Sequence, residues 1–411
     1  MNVRQTQLPE GWEIKKLGEV CEVIGGGTPS KKNLKFYEGN ILWASVRDMR
    51  SEIISATEFK ITEEAVKNSS TNIIPKGNVI IATRVGLGKV CFLKNDTAIN
   101  QDLRGIIPKK FKHLDVGYLF QWFKSISHLI IEEGTGATVQ GVKLPFIKDL
   151  LIPLPPLPEQ QRIVSILDQA FAAIDKAKAN AEQNLQNAKE LFESYLQRVF
   201  ENGDWELKKW GELCDFVRGP FGGSLKKSIF KESGYAVYEQ KHAIHDHFNQ
   251  LRYFIDEEKF NEMKRFELLP GDIIMSCSGV TLGRVAVVPQ GIPRGVINQA
   301  LLKLTPKTNV SVHFIKHWLR SNIFQKIIFD YAGGAAIPNV PSAKILKDIL
   351  IPFPSLIEQE RIVDEIEIMM NKTQNLEALY QKKIADLEEL KKSILQKAFA
   401  GKLETEKSLL V

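Results

Sequence analysis

Lys148-Asp149-Leu150-Leu151-Ile152-Pro153-Leu154-Pro155-Pro156-Leu157-Pro158-Glu159-Gln160-Gln161-Arg162-Ile163-Val164 returns later as Lys347-Asp348-Ile349-Leu350-Ile351-Pro352-Phe353-Pro354-Ser355-Leu356-Ile357-Glu358-Gln359-Glu360-Arg361-Ile362-Val363. Both copies read as a short strand, a stiff proline-rich hinge and the first turn of a helix, because proline fixes an extended φ and stops the strand from running straight into the helix. Working backwards, Trp12-Glu13-Ile14-Lys15-Lys16-Leu17-Gly18-Glu19-Val20-Cys21 answers Trp205-Glu206-Leu207-Lys208-Lys209-Trp210-Gly211-Glu212-Leu213-Cys214. Val85-Gly86-Leu87-Gly88-Lys89-Val90 answers Val280-Thr281-Leu282-Gly283-Arg284-Val285, and Ile99-Asn100-Gln101 answers Ile297-Asn298-Gln299. A solenoid repeats every 20 to 50 or so residues, so this much longer period is a duplicated domain.

Beyond each hinge lies a long amphipathic pattern. Apolar or small residues recur in steps of three and four at Ile163, Leu167, Ala170, Ile174, Ala177, Ala181, Leu185, Ala188, Leu191, Tyr195 and Val199. The second copy runs Ile362, Ile366, Met369, Thr373, Leu376, Tyr380, Ile384, Leu387, Leu390, Ile394 and Ala398. One such strip per half is a heptad seam that needs a partner, and each helix is the other's nearest candidate. A helix of about 40 residues spans about 60 Å, long enough to serve as a ruler between two globular bodies. An ordinary core hairpin is the plainer alternative.

The globular stretches mix short strand-like runs, such as Asn78-Val79-Ile80-Ile81-Ala82 and Asp272-Ile273-Ile274-Met275-Ser276, with glycine turns and helical segments. That pattern predicts α+β domains. The expected layout is a first domain over 1–157, a central helix over 158–200, a second domain over 201–355, and a C-terminal helix and tail over 356–411. Similarity between the copies fades over about 28–70 and 221–265, which suits one scaffold serving two targets.

At 411 residues and 44% apolar content the chain has ample core for more than one domain. Its net charge of +6 is unevenly placed: +5 over 1–157, −1 over 158–200, +4 over 201–355 and −2 over 356–411. Two basic bodies joined by near-neutral helices suit a polyanion held at two places, although ordinary surface lysine accounts for sums this small equally well. Cys21, Cys91, Cys214 and Cys277 are far apart with no CxxC, and read as buried thiols in a reducing compartment. No apolar run is long enough for a membrane span, so a soluble cytoplasmic protein is expected.

Residues suited to nucleic acid gather where the copies diverge and in the glycine turns. In the first half they are Thr28, Ser30, Lys31, Lys32, Ser45, Arg47, Asp48, Arg84 and Lys89, with Tyr37 and Trp43 nearby. In the second they are Arg218, Ser224, Lys226, Lys227, Gln240, Lys241, His242 and Arg284. Arg and Lys can bond guanine O6 and N7, Asn or Gln can bond adenine, and Ser, Thr and Lys can hold phosphates. Asn100-Gln101 and Asn298-Gln299 fit either base reading or turn capping. The cluster His242, His245 and His247 lacks a matching carboxylate or cysteine motif and reads as polar-loop or DNA-facing histidines rather than a metal site. His313 and His317, spaced i, i+4, read as packing or capping residues. No Walker loop, adenine-methyltransferase Asn-Pro-Pro-aromatic string, GxSxG or HExxH occurs.

Taken together, the two hinges, Gly27-Thr28-Pro29-Ser30 followed by Tyr37, Gly39 and Trp43, Arg218-Gly219-Pro220-Phe221-Gly222-Gly223-Ser224, and Gly283-Arg284 before Asn298-Gln299 carry a resemblance over nearly the whole chain. The chain resembles the specificity subunit of Type I restriction-modification enzymes. That resemblance implies two target-recognition domains, each reading one half of a split, asymmetric site in double-stranded DNA, with the helices packed antiparallel as spacer. It implies no catalysis or cofactor in this chain. Two modification subunits would bring S-adenosylmethionine, and motor-nuclease subunits, where present, would use ATP and magnesium. The alternatives are a methyltransferase or nuclease with fused readers, and a coiled-coil scaffold that binds protein only. In the second hinge Ser355-Leu356-Ile357 replaces Pro156-Leu157-Pro158, which predicts a less stiff connection.

Overall fold

The computed structural model describes residues 8–134, 141–221, 223–331 and 339–403. The chain forms two compact units, Met1–Ala181 with Lys382–Val411, and Glu182–Gln381. Each holds one globular domain and a portion of both long helices, Leu157–Glu201 (45 residues) and Leu356–Phe399 (44 residues). The units therefore cut through the helices, where the sequence suggested four consecutive segments.

In the first unit Glu13–Lys16 pairs antiparallel with Leu151–Leu154, which stitches the start of the domain to its hinge. A five-stranded sheet runs in the order Cys21–Gly25, Leu103–Pro108, Val79–Ala82, Val90–Leu93, Ile53–Ile54. A four-stranded sheet runs Phe59–Ile61, Ile41–Ala44, Thr97–Ile99, Asn72–Ile74. Val79-Ile80-Ile81-Ala82 is apolar throughout because the larger sheet is covered on both faces, and alternate side chains serve opposite faces. Val79 and Ile81 pack with Leu119 and Trp122 of the helix Val116–Ser125. Ile80 and Ala82 pack with Ala44, Ile74 and Ile99 of the smaller sheet. The result is three layers, helix on sheet on sheet.

The second unit repeats this plan with shorter sheets. Leu207–Lys209 pairs with Leu350–Pro352. One sheet runs Cys214–Arg218, Leu301–Pro306, Ile273–Ser276, Val285–Val287, and the other Phe254–Ile255, Tyr235–Tyr238, Gly295–Ile297. Ile273 and Met275 face Phe314 and Trp318, while Ile274 faces Tyr238 and Ile297. All four cysteines are buried free thiols, and burial pushes Cys21, Cys214 and Cys277 up to about 12.

The long helices pair antiparallel within each unit. In the first, Asp175 meets Lys391 at 2.8 Å and Lys178 meets Glu388, so three residues forward on one helix is three back on the other. Ile163, Leu167, Phe171 and Ile174 are buried with Ile394, Leu395, Ala398 and Phe399. Burying each large side chain stabilises by up to about 1.5 to 3 kcal/mol. In the second unit Leu196 and Phe200 are buried with Ile362, Val363 and Ile366. Leu185 and Leu387 are half-buried. Leu191 and Leu376, both expected in the seam, are instead 48% and 37% exposed. Phe192 packs on the core in place of Leu191, since a helix of 3.6 residues per turn drifts about 20° per heptad against a strict seven-residue repeat.

A buried glutamine fastens each helix to its own domain. Gln160 is fully buried; its Nε2 donates to the carbonyls of Pro155 (2.8 Å) and His113 (2.9 Å), and its Oε1 accepts from the Asp115 N–H (2.8 Å). Gln359 is equally buried, donating to Pro354 O (2.9 Å) and accepting from Ser311 N–H (2.8 Å). Asp115 and Ser311 are themselves the N-caps of Val116–Ser125 and Val312–Arg320, so one amide joins hinge, long helix and domain helix. Nothing local in the sequence marks either glutamine for this role, because the N-caps they bond lie 45 and 48 residues away in the chain. Among the described residues no helix is long and apolar enough to cross a membrane.

Gln160→Ala strands a buried N–H and carbonyls, and should lower unfolding stability by about 1 to 3 kcal/mol in a denaturant titration. The exposed neighbour Gln161 supplies the control, with Gln161→Ala expected within about 0.5 kcal/mol of the parent. Equal losses from the two substitutions would remove the amide from its fastening role.

Candidate nucleic-acid interface

In the first unit the strands Ile41–Ala44 and Thr97–Ile99 run parallel, Leu42 opposite Thr97 and Ala44 opposite Ile99. Parallel strands end on the same edge, so the chain leaves both there, through Ser45-Val46-Arg47 and through Asn100-Gln101. The second unit does the same with Tyr235–Tyr238 and Gly295–Ile297, leaving through Glu239-Gln240-Lys241 and Asn298-Gln299. Part of the set picked from the sequence lies at this edge: Ser45 and Arg47 in the first unit, Gln240, Lys241 and His242 in the second.

Each exit turn is fixed by side chains that satisfy its own backbone. Asp48 Oδ2 accepts from Ser45 N–H at 2.8 Å, and Ser45 Oγ accepts from Arg47 N–H. At the matching place in the second unit, His242 Nδ1 accepts from Glu239 N–H at 2.8 Å and its Nε2–H donates to Gln250 O at 3.2 Å. His242 is 1% exposed between Tyr238 and Phe248, and burial lowers its pKa. It is thus a structural cap and not a base reader, which corrects the expectation. Gln240 is also committed, its amide donating to Ser276 Oγ at 2.6 Å and to Ser278 O. Asp48, which caps its own turn, is committed in the same way, and all three differ from the expectation for one reason: a hydrogen-bonding side chain has the same letter in the sequence whether it faces solvent or its own backbone.

Asn100 Oδ1 accepts from Asp102 N–H (3.1 Å) and Asn298 Oδ1 from Ala300 N–H (3.0 Å), so of the two readings left open the asparagines are turn caps, while Gln101 and Gln299 are exposed. A glycine presses on each of these turns. A Cβ on Gly26 would lie 2.1 Å from Asn100 O, and one on Gly219 would lie 1.9 Å from Asn298 O. No other residue fits there.

A cleft of about 820 Å³ opens beside the first unit's edge and brings together Thr28, Lys31, Ser45 and Arg47 with Tyr37, Trp43, Phe59, Val85 and Gln101. Trp43 Nε1 donates to Gly27 O (3.1 Å) and Tyr37 OH to Pro29 O (2.7 Å), so the two rings hold the loop that carries Thr28. The Thr28 hydroxyl meets the Gln101 side chain across the cleft. Arg47 is 76% exposed with only a 3.7 Å ion pair to Glu58, leaving its guanidinium available. Ser30, Lys32, Arg84 and Lys89 are exposed but do not line the cleft.

In the second unit Arg218 reaches Asn339 Oδ1 (3.2 Å) on a separate small cleft. Lys241 lines another, of about 400 Å³, with His242, His245 and His247, and lies 3.5 Å from Glu239. Lys226, Lys227 and Arg284 are exposed, and Ser224 is half-buried. Among the described residues no group of His, Cys, Asp and Glu is placed to hold a metal ion. His317 is buried and pushed down to about 3, chiefly by desolvation, while His313 is exposed.

The family model described as the Type I restriction modification DNA specificity domain matches residues 9–185 and again 202–388, once on each copy of the repeat. The chain belongs to this family. It is 27% identical to the MjaIX specificity subunit of Methanocaldococcus jannaschii, over 97% of this chain and 95% of that protein. It is 33% identical to the EcoR124I/EcoR124II specificity subunit of Escherichia coli over 46% of this chain and 48% of that one. The fold matches the HsdS subunit from Thermoanaerobacter tengcongensis with a TM-score of 0.66 at 21% identity, covering 98% of this chain and 100% of that one.

His242→Ala should lower the stability of the second unit by about 1 to 3 kcal/mol, whereas Arg47→Ala should leave the first within about 0.5 kcal/mol. Because burial holds the rings of His242 and His317 neutral, the unfolded chain takes up more protons below about pH 6.5, and stability falls with acid. Thermal unfolding followed from pH 7.5 to 5 checks both. A His242→Ala transition matching the parent's throughout would return this histidine to the candidate readers.

Proposed function

We propose that this chain is the DNA-recognition subunit of a Type I restriction-modification complex, reading a bipartite asymmetric site with one half-site per globular unit. The observation that carries the reading is the doubled family match laid over two strand edges of equal backbone geometry and unequal side chains. Ser45, Arg47 and Asp48 stand where Glu239, Lys241 and His242 stand in the other copy. One scaffold with two different tips serves two different short sequences, through major-groove hydrogen bonds from exposed groups such as Arg47 and Gln101 and phosphate contacts from the lysines.

The chain itself is non-catalytic in this reading. Two modification subunits, using S-adenosylmethionine, would dock on it and methylate the DNA, and motor-nuclease subunits, with ATP and magnesium, would join where present. It would work in the cytoplasm, where its DNA and partners are. The length of the paired helices would set the number of unread base pairs between the half-sites.

Exchanging residues 25–145 for the corresponding segment of another family member should change one half of the methylated motif and leave the other intact, read by methylome sequencing of cells expressing the hybrid with its methyltransferase. A change in both halves would sink the assignment of one unit to one half-site. Inserting seven residues into each long helix, about 10 Å of added rise, should widen the gap in the motif by about three base pairs. A gap that keeps its length would eliminate the spacer role.

A further inference from the structure

The two copies differ in both size and polarity at one position beside the edge. Gly26-Gly27-Thr28 in the first unit corresponds to Gly219-Pro220-Phe221 in the second, anchored by the same packing of a glycine on the Asn100 or Asn298 turn. Thr28 lines the first cleft and is tied to Gln101. Phe221, its counterpart, is 95% exposed, with its carbonyl held by Ser224 N–H at 2.9 Å. Val280 is 91% exposed and corresponds to Val85, which also lines the first cleft. Arg218, Lys226, Lys227 and Arg284, the nearest cations in sequence to these two side chains, are all exposed.

Scattered exposed apolar residues are ordinary. Here two almost bare ones occupy the two positions whose counterparts face the first unit's cleft, and the nearest charged residue in sequence to each, Arg218 and Arg284, is basic. Resting on the DNA-reader assignment above, we propose that Phe221 is the specificity-determining wedge of the second unit, entering the base stack of its half-site while Val280 adds a second apolar contact. Phe221 is 95% exposed and among the described residues no ring stacks on it, so the ring is available to stack, and apolar wedges of this kind unstack a base step and kink the duplex. Pyrimidine–purine steps are the ones where unstacking costs least. The first unit, with Thr28 at that position, reads its half without a wedge, so the distortion is confined to one side of the site.

The test uses the full chain and duplexes carrying its methylated motif, with 2-aminopurine placed singly at each position. Wild type should raise fluorescence at one step of the second half-site and at none of the first. Phe221→Ala should abolish that signal and weaken binding about 10-fold or more, the scale of one lost base–aromatic stack, while Phe221→Leu keeps part of both. Since the ring touches almost nothing, the variants should unfold with the parent. Unchanged affinity and fluorescence in Phe221→Ala would overturn the wedge, as would intact DNA binding with lost methyltransferase assembly, which would make the ring a protein-docking residue. If wild type itself does not prefer the motif to a scrambled duplex, the recognition reading falls first.

Discussion

The buried amides of Gln160 and Gln359 are the constraint on which the rest of the molecule depends. A side chain that is fully enclosed and bonds both a hinge carbonyl and the N-cap of a domain helix fixes the direction in which the long helix leaves. Leaving those groups unpaired would cost more than the bonds themselves contribute, so the geometry is held by the penalty for breaking it. The prolines before each glutamine add stiffness, but the glutamine supplies the angle, which explains why the second hinge keeps the same arrangement with fewer prolines. Each domain is then completed by chain from a distant part of the sequence: Phe399 lies 5.0 Å from Tyr118, and Phe200 lies 5.5 Å from Phe314. Neither long helix can bury its apolar strip alone, and neither domain core is whole without the helix end that packs on it.

Much of this was legible beforehand, for definite reasons. A duplicated hinge, two long periodic helices and short apolar strand runs are local patterns, and local patterns survive in the one-dimensional order of residues. What was not legible is what depends on distant partners. The parallel pairing of Ile41–Ala44 with Thr97–Ile99 joins segments more than fifty residues apart, and no local pattern announces it. The same limit misplaced Leu191 and Leu376, because the buried side of a helix follows the partner's surface once the repeat drifts. His242 and Gln240 looked like readers because their chemistry suits bases, yet the nearest unsatisfied groups were those of their own turns. A useful signal was present for His242: it stands three residues after Glu239, where the first copy has Asp48 three after Ser45, which is the spacing of a cap.

The exchange of Asp48 for His242 also shows how the scaffold can stay constant while the tips diverge. Both side chains accept a hydrogen bond from the backbone N–H at the start of the turn, so the turn keeps its form with either one. The glycines at 26 and 219 have no such latitude, since any side chain would strike a carbonyl. Between these fixed points, Arg47, Gln101 and Phe221 are exposed and Lys241 is half-buried, all outside the buried cores, and replacing them requires no core repacking.

That division has an energetic consequence for recognition. The turn-capping bonds order the exit loops before any ligand arrives, so the backbone entropy of those loops is lost on folding and not on binding. What remains to be ordered is a few side-chain torsions on each edge. Exposed cations with weak or no ion pairs, such as Arg47, shed little on meeting a phosphate or a base, whereas a residue already paired in a strong bridge would have to break it first. Specificity in such an edge comes from a small set of free side chains on a rigid frame. A duplicated frame can therefore carry two unrelated sets, since neither set contributes to holding the other's backbone in place.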